Sequence, residues 1–102
     1  MSKFSMTELT QFVIEWGKDR NLIERKNADK QMIKVVEEVG ELAASLLKND
    51  EKNIVDSIGD SFVTLIILSA QLGLDPTQCL NEAYNEIANR KGKTVDGTFI
   101  KE

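Results

Sequence analysis

Val35-Val36-Glu37-Glu38-Val39-Gly40-Glu41-Leu42 places three carboxylates within five residues of a stretch whose apolar spacing is helical. Glu38 and Glu41 stand at i and i+3, so they project to one side and can share an ion. A second acidic group, Asp56-Ser57-Ile58-Gly59-Asp60, follows on the next helical stretch, with Asp56 and Asp60 at i and i+4. Only Asn49-Asp50 separates the two stretches, and helices joined so tightly lie side by side and antiparallel. Glu38, Glu41, Asp56 and Asp60 can then face one another as an oxygen-lined cage. Such a cluster repels itself unless a cation neutralises it, and all-oxygen ligands select Mg²⁺ or Mn²⁺. The plain alternative is a solvated acidic face. Against it stands the apolar character of the remaining faces of the second helix, beside which uncompensated charge is costly. Gly40 and Gly59 flank the acids; they admit either a ligand or a closely packed neighbouring helix.

Four helices follow outward from this pair. Phe4-Ser5-Met6-Thr7-Glu8-Leu9 reads as a helix start, with Ser5 and Glu8 as a capping box and Phe4 stapled on Leu9. The first helix covers Met6 to Asp19, with Leu9, Phe12, Val13 and Trp16 on its apolar face; Arg20 to Asn27 is a polar connection. The second begins at an Asn27 or Asp29 cap and runs to Lys48 on a stripe of Met32, Val35, Val36, Val39, Ala43, Leu46 and Leu47. At ~100° per residue, Lys34, Glu38, Glu41 and Ser45 share a flank, with Glu37 nearer solvent. The third runs from Glu51, capped by Asp50, to Leu72 and ends at Gly73. Its second half is apolar nearly all round, apart from a strip of Asp56, Ser57, Asp60, Thr64 and Gln71, so it calls for cover on most sides. Asp75-Pro76-Thr77-Gln78 opens the fourth helix, whose inner face is Leu80, Ala83, Tyr84 and Ile87 and whose end lies near Arg90 or Lys91. Asp96-Gly97 within the Lys93–Lys101 tail signals a hairpin or extended arm. The expectation is an all-α, four-helix, bundle-like protomer forming a single domain over residues 1–102.

Composition narrows the chemistry. The 102 residues carry a net charge of −4, which argues against a nucleic-acid partner. Histidine is absent and Cys79 is the single cysteine, so a protein-built zinc or copper site is not expected and histidine-based triads are excluded. Cys79 has no internal disulfide partner and reads as a small apolar filler in a reducing interior. No basic-then-apolar signal pattern opens the chain, and the Phe62–Leu68 run is too short to span a bilayer. The expected setting is the cytoplasm, away from membranes.

Glu37-Glu38-Val39-Gly40-Glu41-Leu42, then a spacer, then Gly59-Asp60 before an apolar helix resembles the MazG-like, all-α nucleoside triphosphate pyrophosphohydrolases. Their signature is E-E-x-x-E, a spacer, then E-x-x-D. The ending Asn89-Arg90-Lys91-Gly92-Lys93-Thr94-Val95-Asp96-Gly97-Thr98-Phe99 is similar to small phage-type members, so the likeness runs from about Asp29 onward. One position departs: the second half of the signature would put a glutamate where this chain has Ser57. Either Asp56 supplies the missing ligand from the adjacent position or the Ser57 hydroxyl acts through water. The resemblance implies hydrolysis between the α and β phosphates of a nucleoside triphosphate, giving the monophosphate and diphosphate, with Mg²⁺ as cofactor and Mn²⁺ as substitute. It makes Glu38, Glu41 and Asp60 metal ligands, and Glu37 or Glu41 the group that orients water. Lys34 then meets a phosphate or pairs with Glu37 or Glu38. Asn85, Asn89, Arg90 and Lys91 fall where the family contacts the nucleotide, with Lys93 beyond, and Trp16 either stacks on a base or fills the core. A phosphoribosyl-ATP pyrophosphohydrolase relative is the rival within enzymes, and a non-catalytic helical dimerisation or regulatory module the rival outside them. The apolar third helix also implies a homo-oligomer, a dimer or tetramer, with that helix at the interface.

Overall fold

A computed structural model describes residues 3–102. Its elements are α1 (Met6–Asp19), a 3₁₀ turn (Arg25–Asn27), α2 (Ala28–Leu47), α3 (Glu51–Gln71), α4 (Pro76–Ala88), β1 (Gly92–Val95) and β2 (Thr98–Lys101). This is the mostly helical architecture that the sequence predicts, with a small C-terminal hairpin.

The helix ends follow from local chemistry. Ser5 accepts from the Glu8 N–H at 3.1 Å and the Glu8 carboxylate accepts from the Ser5 N–H at 3.0 Å, completing the capping box. Phe4 meets Phe12 edge-to-face at 5.0 Å, one turn beyond the predicted Leu9 partner. Asp50 caps α3 through the Asn53 N–H, and Asp75 caps α4 through the Thr77 N–H. Asn27 precedes α2 but makes no side-chain cap, because the 3₁₀ turn already holds it in a helical conformation. The helices α1, α2 and α3 stop alike: Asn21, Asn49 and Gly73 take positive φ, and the next residue's N–H returns to the carbonyl of Gly17, Ser45 or Ser69. That geometry satisfies orphaned carbonyls and favours glycine or asparagine. Asp96 and Gly97 both have positive φ and join β1 to β2 in a two-residue turn. The helix α4 ends at Ala88, short of the predicted Arg90 or Lys91.

The helices α2 and α3 form the main contact of the fold, and α1 packs on α3. Gly17 permits that approach, since a Cβ there would lie 2.7 Å from Ile67 Cδ1 and 2.8 Å from Ile23 Cδ1. Gln31 donates to the Thr64 carbonyl across α2 and α3, and Gln71 donates to the Leu22 carbonyl, fastening the α1–α2 connection. The fully apolar core is small: Val35, Ile66 and Ile67, the last only 2% exposed.

Much of the predicted apolar stripe stays open. Met32, Val36, Val39, Leu46 and Leu47 on α2, and Val55, Ile58, Phe62 and Leu65 on α3, are exposed. The predicted inner face of α4 is uncovered too, because α4 packs mainly on α3 and leaves Leu80 71%, Tyr84 60% and Ile87 53% exposed. The radius of gyration is 15.9 Å, where a compact chain of this length has about 13 Å. The accessible surface of 8138 Å² exceeds the roughly 5,800 Å² of a compact monomer of this mass by about 2,300 Å². An 18-residue window of α3, with mean hydropathy 1.4, is long and apolar enough to cross a membrane by length and composition alone, which the Phe62–Leu68 run understated. In this fold it packs against α1 and α2 and carries two aspartates.

Candidate active site

Glu38 and Glu41 lie on α2 and Asp56 and Asp60 on α3, and the antiparallel packing of the two helices sets the acidic groups against each other. Glu38 and Asp60 are half-buried; Glu37, Glu41 and Asp56 are exposed. Burial raises the Glu38 carboxyl above its ordinary value, and the charges of Glu41 and Asp60 and a hydrogen bond with Glu41 push the same way against an opposing Lys34. Burial also raises Asp60, followed by the charges of Asp56 and Glu41. So Glu38, Glu41 and Asp60 feel one another, and Asp56 acts on the group through Asp60. Glu38 Oε2 is buried without any hydrogen-bond partner. An orphaned carboxylate oxygen beside other carboxylates is a donor set suited to a hard divalent cation. As the side chains stand, no three acids among the described residues converge on one ligating point.

Lys34 pairs with Glu37 at 3.7 Å, both exposed, so the intrahelical partner is Glu37 rather than Glu38. Ser57 is buried and lies with Glu41, Ser45, Lys48, Asp50, Asn53 and Asp56 around a polar cleft of about 280 Å³. Gly40 and Gly59 have open space where a Cβ would stand, so neither serves close helix packing within the protomer. Asn85, Asn89, Arg90 and Lys91 are all exposed, and Arg90 is held by Glu86 at 3.2 Å. The structure does not bring them onto the body of the fold.

A second cleft, of about 490 Å³, runs between α1 and α3 and is lined by Leu9, Phe12, Val13, Trp16, Asp60 and Val63. Trp16 is not the core filler allowed for by its spacing. It is 46% exposed and carries the Arg20 guanidinium 4.3 Å from its ring centre. Sequence reasoning missed Leu9, Phe12 and Val13 as site residues because helical spacing marks them only as an apolar face. Lys48 and Asn53 were missed for another reason, as residues at the end of α2 and in the first turn of α3 carry no signature. Cys79 is free and exposed, not a buried filler.

The profile of the phosphoribosyl-ATP pyrophosphohydrolase family matches residues 18–86, which include both carboxylate helices. The chain is also 43% identical over 70 residues to an uncharacterized 18.2 kDa protein from the rep–hol intergenic region of Haemophilus phage HP1. Those residues are 69% of this chain and 43% of the relative, so the chain spans less than half of that protein's length. No solved structure matches. With more than half of its residues matched, acidic helices among them, the chain belongs to the phosphoribosyl-ATP pyrophosphohydrolase family, a family of all-α pyrophosphohydrolases.

Proposed function

We propose that this chain hydrolyses the α–β phosphoanhydride bond of nucleoside triphosphates, releasing diphosphate and the monophosphate in nucleotide-pool clearance. The observation that carries the reading is the pair of half-buried carboxylates Glu38 and Asp60 beside exposed Glu41, with Glu38 Oε2 unpartnered. In this reading Glu38, Glu41 and Asp60 hold Mg²⁺, with Mn²⁺ as substitute, and Asp56 completes the set where the family signature has glutamate. Bound Mg²⁺ supplies charge neutralisation of the phosphates and orientation of the scissile group. Of Glu37 and Glu41, the second is the better placed to orient the attacking water, since Glu37 pairs with Lys34 while the charge of Glu41 acts on Glu38 and Asp60. The apolar cleft of Leu9, Phe12, Val13 and Trp16 ends at Asp60, and suits a base stacked beside the phosphates. Lys34 is close enough to this flank to exchange Glu37 for a phosphate oxygen.

We also propose that the working form is a homo-oligomer with α3 at the interface. The uncovered Val55, Ile58, Phe62 and Leu65 and the surplus surface support it. The family profile is compatible with a second substrate reading, phosphoribosyl-ATP, which undergoes the same bond cleavage. Diphosphate release across canonical and damaged nucleotides and phosphoribosyl-ATP, with and without Mg²⁺, tests both. Turnover of phosphoribosyl-ATP alone would select the second reading, and no Mg²⁺-dependent release from any of them would overturn both.

A further inference from the structure

A mid-helix serine that does not face solvent commonly bonds the carbonyl four residues before it. Ser45, Ser61 and Ser69 do this, donating to the carbonyls of Glu41, Ser57 and Leu65 at 2.9, 2.8 and 2.9 Å. Ser57 is only 5% exposed, yet among the described residues its hydroxyl makes no such return bond. It lines the polar cleft of about 280 Å³ between the end of α2 and the start of α3, with Glu41, Ser45 and Asp56 around it. A buried hydroxyl needs a partner, and the cleft is where that partner can stand.

The lining decides what the partner is. Glu41, Asp50 and Asp56 set three acids against one cation, Lys48, so the cleft repels phosphate oxygens and attracts hydrogen-bond donors. Water suits it: a water takes about 30 Å³ and two to four polar partners, and Ser57, Glu41 and Asp56 all offer acceptors. A glutamate at position 57, as in the signature this chain resembles, would extend its carboxylate into the same space. Serine leaves that space to solvent. Along α3 the polar cleft lies on the N-terminal side, from Asp50 to Ser57, and the apolar cleft takes over at Asp60. The carboxylates thus stand between a cleft that suits a base and a cleft that suits water.

We infer that Ser57 positions the attacking water, which is held in the polar cleft between the Ser57 hydroxyl and the Glu41 carboxylate; this rests on the pyrophosphohydrolase reading. Ser57 Oγ accepts one hydrogen of the water and Glu41 accepts the other, which turns the lone pairs of the water oxygen toward the α-phosphorus. That oxygen bonds to phosphorus as the bond from phosphorus to the α–β bridging oxygen breaks. The electron pair of the broken bond leaves with diphosphate, and the proton of the water passes to Glu41. Ser57 neither gains nor loses a proton, so its part is positioning, and Asp56 is left to complete the ligands of the cation.

Steady-state kinetics with a competing nucleophile, on the full chain, test this. Ser57→Ala should lower kcat about a hundredfold, the cost of a reactant misplaced by about 1 Å. Its KM and its Mg²⁺-induced rise in melting temperature should match the wild type, because the hydroxyl touches neither nucleotide nor cation. With methanol present, the methyl ester of the monophosphate should form in a several-fold larger share than in the wild type, since nothing then selects a molecule with two hydrogens to give. Ser57→Thr should keep kcat. Ser57→Cys, whose sulfur is a weak acceptor, should fall between, and it carries the same test if Ser57→Ala does not fold. An unchanged kcat or an unchanged ester share overturns the placement of the water. A lost Mg²⁺ response overturns it too, by assigning the hydroxyl to the cation. A wild type that releases no diphosphate from any nucleotide overturns the pyrophosphohydrolase reading, and this inference with it.

Discussion

Replacing Glu38 by glutamine should raise the stability of the metal-free protein while removing its response to Mg²⁺. The side chain keeps its size and loses a charge that Glu41 and Asp60 both oppose. Two like charges about 5.5 Å apart, the spacing of helix neighbours, repel by about 0.7 kcal/mol in a water-like dielectric. Glu41 is exposed and Asp60 half-buried, so the water-like value is the relevant one. Two such pairs, less the attraction of Lys34, leave about 1 kcal/mol, or a rise of roughly 4–8 °C in melting temperature for a chain of this size. Ion binding works the other way. At a hundredfold excess of Mg²⁺ over its Kd the wild type gains about 2.7 kcal/mol, a shift of at least about 10 °C. A site weakened a hundredfold retains about 0.4 kcal/mol at the same Mg²⁺, or roughly 2–3 °C.

The assay is thermal unfolding followed by circular dichroism at fixed protein concentration, in chelator and in Mg²⁺, for wild type and variant. The opposite signs are what make it decisive. A variant that melts at or below the wild type without metal, and shifts as much as the wild type with it, refutes the idea that Glu38 is both repelled by its neighbours and a ligand.

Acidification should act in the same sense as Glu38→Gln. Folded-state values of Glu38 and Asp60 lie above the ordinary 4.5 and 3.8, so their contribution to stability is complete below those values and is lost as pH rises through the raised ones. The difference in melting temperature between metal-free wild type and Glu38→Gln should therefore shrink as pH falls towards 4.5, and Mg²⁺ stabilisation should fade over the same window; pH-series melts check both. If Asp56 replaces the missing glutamate, Asp56→Asn should weaken Mg²⁺ binding about as much as Asp60→Asn in a calorimetric titration; a silent Asp56→Asn ends that assignment, and a tighter Ser57→Glu would then point to a water-filled gap. Ile67→Ala should cost about 2–5 kcal/mol in urea unfolding, as expected for a fully buried aliphatic side chain. Trp16→Ala should raise KM about tenfold, from the loss of about 1–3 kcal/mol of stacking, with kcat largely kept; an unchanged KM for every base would remove the base from the α1–α3 cleft.

What the sequence made legible was whatever short-range chemistry determines. Ser5 with Glu8, Asp50, Asp75, Gly73 and Asp96-Gly97 each fix a helix end or a turn through contacts within a few residues, and the elements form where those residues put them. Glu38, Glu41 and Asp60 were legible too, because helical spacing decides which side chains share a flank. Coverage was not legible. Periodicity says that Met32, Val36, Val39, Leu80 and Tyr84 want an apolar neighbour, but not which molecule supplies it, and the single chain leaves all five exposed. The same blindness hid the cleft beside Asp60, because Phe12 and Trp16 obey the same spacing whether they fill a core or wall a pocket. The two gaps have one physical origin. Among the described residues only Val35, Ile66 and Ile67 are buried as fully apolar core, so most of the hydrophobic pattern finds no cover within the single chain. On α1 the aromatic face lies beside Asp60 and suits a base; on α2, α3 and α4 it is extended, as the proposed homo-oligomer would require. An amphipathic stripe in a small helical protein therefore marks where cover is needed, and the residues that end up beside it, such as Asp60 next to Trp16, come only from the fold.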